Sequence, residues 1–286
     1  MPNDVSEIRR IVERCFTETL KDKGKLKIEG VITDESYGHS AGTPIEEWAK
    51  RNLQRGTDFT IYYPNEALAR IFKELKDPRK IESFLDAVWW GKLLFTKEQL
   101  KDFMAGKEVK RWQQEGADLV LLYDSDITKN PDKVILINVK SHLATRQSRP
   151  PNIMSAQRLL EYFDYILAKG DGRKLLSQAE LWFLGVSYAI ESTQGEVGGV
   201  AINKAVVSSV ALRDLFKLDV EEIPQINFDA AIQIQWHVED MKEVKQTKDT
   251  FVANLADEFI ERWRHHSSAK ESKYEKLIQS IKKHLS

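Results

Sequence analysis

The sequence predicts a mixed α/β fold, a single domain over residues 1–286 whose central sheet is at least partly antiparallel and flanked by helices. Three observations carry this prediction. Apolar residues recur at helical spacing towards both ends of the chain. Two apolar runs, 117–123 and 133–140, are separated by a turn-rich loop, and period-two alternation marks the segment 226–238. With 286 residues and 42% hydrophobic content, the chain can bury one sizeable core.

Each element follows from local pattern. Residues 4–21 place Ile8, Ile11, Val12, Cys15, Phe16 and Leu20 along one helical stripe, with Asp4 or Ser6 as N-cap. Cys15 lies inside that stripe and reads as an inert core thiol. Residues 37–44 (YGHSAGTP) read as a loop. Thr43 is then the natural N-cap, Pro44 opens the first turn, and Glu46 completes a capping-box pattern for a helix running to about Leu53. Residues 65–105 read as mostly helical, broken at Asp77-Pro78 and near Gly91. The runs ADLVLLY and KVILINVK suggest strands covered on both faces, joined by the loop DSDITKNPD. A helix is expected at about 153–169, then strands at 180–191 and 197–208 joined by a glycine-containing turn at 193–199. In 226–238, Ile232, Ile234 and Trp236 face one way and Gln233, Gln235 and His237 the other, which suggests a solvated polar face. Helices at about 249–266 and on to 284 close the chain.

Composition excludes several classes. The balance of 43 basic against 44 acidic residues gives a net charge of −1, which argues against polyanion binding by bulk charge. One cysteine excludes an internal disulfide and any multi-cysteine zinc or iron–sulfur site. The sequence has no long apolar span and no secretory signal core at its start, so a soluble protein of a reducing compartment, with no membrane partner, is expected. The stretch GEVGG at 195–199 lacks both the phosphate-loop lysine and dinucleotide-binding glycine spacing. A hairpin turn is the better account of it, and no nucleotide cofactor is expected.

The two apolar runs carry the most chemistry. If Tyr123 pairs near Lys133 in an antiparallel hairpin, Asp118 falls opposite position 138, give or take two residues. Asn138 and Lys140 share a face because strand side chains alternate. A carboxylate, a second oxygen donor and a lysine gathered in this way suit metal-assisted phosphoryl chemistry. On spacing alone, the blander account stands ahead: Asp118 ends a strand and Lys140 is a solvated exit residue. Between Asp132 and Glu161 there is no acid, while Lys133, Lys140, Arg146, Arg149 and Arg158 all occur. This makes a local positive patch, and the polar segment 141–152 (SHLATRQSRPPN) supplies donors suited to phosphates and base edges.

Asp118 followed by Asn138-Val139-Lys140 resembles the PD-(D/E)xK nuclease signature. The blocks GHSAGTPIE at 38–46, PNIMSA at 151–156 and INFDAAIQIQWHV at 226–238 together resemble the HincII/HindII type II restriction endonucleases, in that family's order. The likeness covers most of residues 37–265, while 60–110 and the termini match poorly. It implies a restriction-endonuclease-like core in a homodimer of the prokaryotic cytoplasm, dependent on Mg²⁺ with Mn²⁺ able to substitute. Such an enzyme cuts both strands of a short two-fold symmetric site in double-stranded DNA, GTYRAC-like, to leave blunt ends. By the same resemblance Asp118 is a metal-binding acid, Lys140 the catalytic lysine and the Val139 carbonyl a further metal contact. Asn152 and Asn227 correspond to base-contacting residues, and Gln113 and Lys92 to DNA-contacting positions. Arg146, Gln147 and Ser148 lie in the segment expected to reach DNA, and Arg149 replaces a glutamine that wedges between central bases. Gln233 is a candidate for DNA or partner contact. His39 and His237 have no metal-ligand partner at helical spacing and are taken as structural or DNA-adjacent.

One departure stands out. Position 138 should carry a metal-binding acid, and an asparagine there removes one negative charge facing the cation. Three explanations apply: a deliberate Asp→Asn replacement that lets DNA be bound without being cut, a variant that recruits another acid with Glu46 as the candidate, or a binding protein that has lost catalysis. The first is preferred. The resulting expectation is an endonuclease of reduced activity, set against a sequence-specific binding protein and a structure-specific repair nuclease.

Overall fold

The computed structural model describes residues 4–21, 25–28, 37–107, 116–124, 126–144, 150–197, 200–229, 232–266 and 271–286. Along the chain, α1 (Val5–Lys21), β1 (Lys25–Ile28), α2 (Tyr37–Gly56) and β2 (Thr60–Tyr62) lead into α3 (Pro64–Leu75), α4 (Pro78–Ala87), α5 (Gly91–Leu94) and α6 (Lys97–Met104). Strands β3 (Leu119–Leu122), β4 (Val134–Leu143) and β5 (Asn152–Ser155) follow, then α7 (Ala156–Leu167) and α8 (Gly172–Gln178). The long strands β6 (Leu181–Val197) and β7 (Val200–Asp214), short β8 (Gln225–Asn227) and β9 (Gln233–Gln235), and helices α9 (Lys248–His266) and α10 (Glu271–Leu285) complete the order.

Six strands form one mixed sheet in the order β1-β7-β6-β4-β3-β2. Among the described residues only the β4–β6 pairing is parallel, and α7 and α8 lie in the crossover between those strands, as a parallel pair requires. The remaining pairs are antiparallel, including β3–β4 with Leu119 opposite Ile137 and Leu122 opposite Val134. Alternation divides the strands between two cores. Val120, Leu122, Val134, Leu136 and Phe183 join the core that includes α7 and α9. Leu119, Leu121, Ile135, Ile137, Val139 and Trp182 pack instead with Ile8 and Phe16 of α1 and Ile45 and Trp48 of α2. Because both faces of β3 are covered, its residues read as an unbroken apolar run. A smaller antiparallel sheet, β5-β9-β8, packs into the first core through Ile226 and Ile234.

The structure corrects several sequence expectations. Residues 37–44 are not a loop: α2 begins at Tyr37 and carries Pro44 inside it, so Thr43 is not an N-cap and Glu46 is not the partner in a capping box. Residues 152–155 form β5 rather than the start of a helix. Ser155 is the N-cap of α7, accepting the Arg158 N–H at 3.3 Å. The strands β6 and β7 extend to Val197 and from Val200, so residues 193–197 belong to a strand and not to a turn as expected. The polar side of β9 is not a solvated face, since Gln235 is buried. Cys15 is a core thiol: it is buried, its Sγ donates to the Asn52 carbonyl at 3.2 Å, and burial raises its pKa. Trp89, Trp90 and Trp263 are core residues of this chain.

Candidate active site

The β3–β4 hairpin assembles the predicted cluster. Gly116 leads into it, and a Cβ there would lie 2.4 Å from the Leu93 carbonyl oxygen, so only glycine lets the chain pass α5 so closely. Two residues later the Asp118 N–H donates to the Ile137 carbonyl at 3.0 Å, which continues the ladder one step and sets Asp118 beside Asn138. The Asp118 Oδ2 accepts the Val139 N–H at 2.7 Å. Asn138 is 4% exposed, aligned with Phe183 of β6, and its Oδ1 is buried without a hydrogen-bond partner. Leaving such an oxygen unsatisfied costs about 1–3 kcal/mol, a cost that a bound electropositive partner would relieve. Lys140 lies two residues on, on the same face by alternation, aligned with Gly185 and half-buried. Among the described residues no acid pairs with it.

A carboxylate and an orphaned amide oxygen on adjacent strands are hard donors, so these residues fit an oxygen-seeking divalent cation. The fit is weaker than with two acids by one negative charge. Glu46 sits on α2, whose buried residues pack against the Val139 side of β4, the opposite face from Asn138 and Lys140.

The expected DNA-contacting residues divide into three groups. Asn152, Asn227 and Gln233 come together on the small sheet, where Asn152 pairs with Gln235 and Asn227 with Gln233. Asn152 is exposed, its Oδ1 accepting the Gln235 Nε2–H at 2.8 Å, and the Asn227 Oδ1 accepts the Asp229 N–H at 3.0 Å. Lys92 stands apart from them, its ammonium 2.8 Å from the Asp86 carboxylate and 5.7 Å from the Tyr165 ring centre. Gln113, Arg146, Gln147, Ser148 and Arg149 lie outside the described residues.

Sequence reasoning weighed His237 for a metal role, found no partner at helical spacing, and so missed the cluster it belongs to. His142, further along the same face of β4, has its Nδ1 3.4 Å from Glu239 Oε1, and its ring meets that of His237 edge-on at 4.9 Å. One ligand atom from each of the three residues lies within 4.8 Å of the others. Burial lowers the His142 pKa from its ordinary value, opposed by the pull of Glu239. No local spacing rule joins strand β4 to residues 237–239, so the sequence held no signal for this group.

An acid and a lysine on neighbouring strands of a mixed sheet flanked by helices make the core of a restriction-endonuclease-like fold. Comparison with known proteins gives the lineage. The family described as Restriction endonuclease HincII matches residues 26–285. The chain is 23% identical over 288 residues to the type II restriction enzyme HincII of Haemophilus influenzae, an alignment that covers 98% of this chain and 100% of that protein. The type II restriction enzyme HindII of Haemophilus influenzae strain Rd matches with the same identity and coverage. The chain belongs to the HincII restriction endonuclease family, and its class is that of the type II, site-specific endonucleases that act on DNA. Among the described residues, no helix is long and apolar enough to cross a membrane.

Proposed function

We propose that this endonuclease, a single domain acting as a homodimer in the prokaryotic cytoplasm, hydrolyses both strands of a short two-fold symmetric DNA site. The site is GTYRAC-like, the ends are blunt, and the reaction depends on Mg²⁺, with Mn²⁺ able to substitute. One observation carries the reading: the Asp118 carboxylate reaches the Val139 N–H beside the buried, unpartnered Asn138 oxygen, with Lys140 next on that face. Asp118, Asn138 and the Val139 carbonyl would hold the cation. Such an ion would supply Lewis-acid polarisation of a phosphodiester and activation of water. Lys140 steadies the scissile phosphate or the attacking hydroxide with a charge that no acid among the described residues neutralises. Asn138 contributes a neutral oxygen where an acid would contribute charge, so the activity is reduced. Asn152, Asn227 and Gln233 on the small sheet touch the bases or their surroundings, together with Lys92, Gln113 and the segment containing Arg146, Gln147, Ser148 and Arg149. A two-fold site needs two such centres, which is the argument for the homodimer.

A second reading, a sequence-specific DNA-binding protein without catalysis, is favoured by Asn138 alone. Incubating plasmid DNA with the protein and with its N138D variant in Mg²⁺, then sequencing the fragment ends, separates the two. Discrete blunt fragments from N138D, and slower ones from the unaltered chain, are expected. Sequence-specific binding with no cutting by either form supports the second reading. Cutting only at branched junctions would overturn both and point to a repair nuclease.

A further inference from the structure

We propose that His142, His237 and Glu239 form a second metal site, selective for a transition-type divalent cation such as Zn²⁺ and separate from the Asp118–Asn138 centre. The fold builds this site deliberately. Gly185 of β6 has no side chain, and a Cβ there would lie 2.5 Å from the Val238 Cβ, so the bare strand lets Val238 settle directly onto the sheet. The residues on either side of Val238, His237 and Glu239, are thereby brought down towards His142 on the neighbouring strand β4. Arg213 of β7 locks the segment in place, donating to the Glu239 carbonyl at 3.1 Å and the Met241 carbonyl at 2.8 Å.

Apart from the 3.4 Å approach of His142 Nδ1 to Glu239 Oε1, the donor atoms arrive without a protein partner. His237 Nδ1 and both Glu239 carboxylate oxygens are buried without a hydrogen bond. His237 Nδ1 and Glu239 Oε2, which lack even an ion-pair contact, are costly to bury unless something electropositive joins them. Two imidazoles and a carboxylate are the donor set of three-ligand zinc sites, and imidazole disfavours Mg²⁺. The 3.4 Å between His142 Nδ1 and Glu239 Oε1 already matches the ligand–ligand edge of a tetrahedral zinc centre, about 3.3 Å for bonds near 2 Å. All three ligand atoms lie within 4.8 Å of one another. His142 and Glu239 keep 19% and 25% of their side-chain surface exposed, so the cluster lies near the surface although its donor atoms are buried. Occupancy would clip the outer half of β4 to the segment that follows β9.

The test uses the full-length protein stripped with chelator and titrated calorimetrically with Zn²⁺, Co²⁺ and Mg²⁺. One Zn²⁺ or Co²⁺ per chain is expected, bound at least about tenfold more tightly than Mg²⁺ at that site, with visible absorption from tetrahedral Co²⁺. His237→Ala should abolish the site. Glu239→Gln, nearly isosteric and so a safeguard against misfolding, should weaken it and alter the cobalt spectrum. N138D should leave it intact, which keeps this result independent of the nuclease centre. Absence of stoichiometric Zn²⁺ binding by the folded protein, or binding that survives both substitutions, would overturn the proposal.

Discussion

Replacing Asn138 with aspartate makes two opposite demands on the hairpin, and their signs can be worked out from its geometry. The side chain is 4% exposed and stands across the ladder from Asp118. Directly opposed Cβ atoms lie roughly 5 Å apart. At that separation, with an effective dielectric constant of about 20, two like charges repel by about 3 kcal/mol. Without a cation, N138D should therefore be less stable than the parent chain. For a protein of this size, the loss lowers the melting temperature by roughly 5 °C or more. A divalent cation reverses the sign, because the same two charges now attract it. Mg²⁺ or Ca²⁺ should raise the melting temperature of N138D well beyond any rise in the parent chain. If the same 3 kcal/mol is recovered in the transition state, cleavage speeds up on the order of a hundredfold. Differential scanning fluorimetry with chelator, Mg²⁺ or Ca²⁺, alongside single-turnover plasmid cleavage, measures both effects. Equal cation responses in the two proteins, or equal cleavage rates, would refute the reasoning and move the cation elsewhere.

Other perturbations test separate parts of the argument. Lys140→Ala should cut single-turnover cleavage by at least about a hundredfold while gel-shift affinity for the site stays nearly constant. A parallel loss of binding would assign Lys140 to DNA docking instead. Gly185→Ala forces a Cβ against Val238 and should cost about 1–3 kcal/mol in urea unfolding; an unchanged midpoint would mean that the Val238 segment does not pack on β6. Arg149→Ala should weaken binding and alter preference at the central base pairs, which a cleavage survey over all central dinucleotides reads directly. Glu180 and Asp214 both have pKa values raised by burial, against the pull of Lys248 and Lys217 respectively. Their folded forms hold protons more strongly than the unfolded chain does, so the stability they contribute is complete at low pH and is lost as pH rises above the ordinary glutamate value of 4.5. Glu180→Gln should flatten that decline between mildly acidic and neutral pH, and parallel urea midpoints across the range would exclude the effect.

What could be read from the sequence was whatever the chain decides locally. The stripe from Ile8 to Leu20, the breaks at Asp77-Pro78 and Gly91, and the closing helices all rest on interactions within a few turns, and they hold in the structure. The hairpin register was legible for the same reason. A short loop constrains pairing, Tyr123 donates to the Lys133 carbonyl, and counting from there brings Asp118 to Asn138. Local grammar failed where tertiary packing outweighed it. Pro44 opens a helix by the usual rule, yet α2 runs through it, and Ile45, Trp48, Ala49 and Leu53 bury a face against the sheet that outweighs the lost hydrogen bond. Ile153 and Met154 fit either a helix or a strand, and pairing with β9 decided for the strand. Gln235 looked solvated because its partner, Asn152, lies far away in sequence.

The same distinction explains why one cluster of polar side chains was visible and the other was not. Asp118, Asn138 and Lys140 occupy two consecutive strands, so pairing geometry alone relates them. His142 meets His237 and Glu239 only after the parallel β4–β6 crossover is made, Gly185 has opened a gap and Arg213 has tied down the segment. Each of those steps is a tertiary event without a sequence period. Yet both clusters share one face of β4, at positions 138, 140 and 142, so the strand that presents the candidate nuclease residues is also the one a bound transition metal would brace. A Zn²⁺-dependent rise in stability that disappears in His237→Ala but persists in N138D would establish that bracing as a property of the strand, separate from the chemistry it supports.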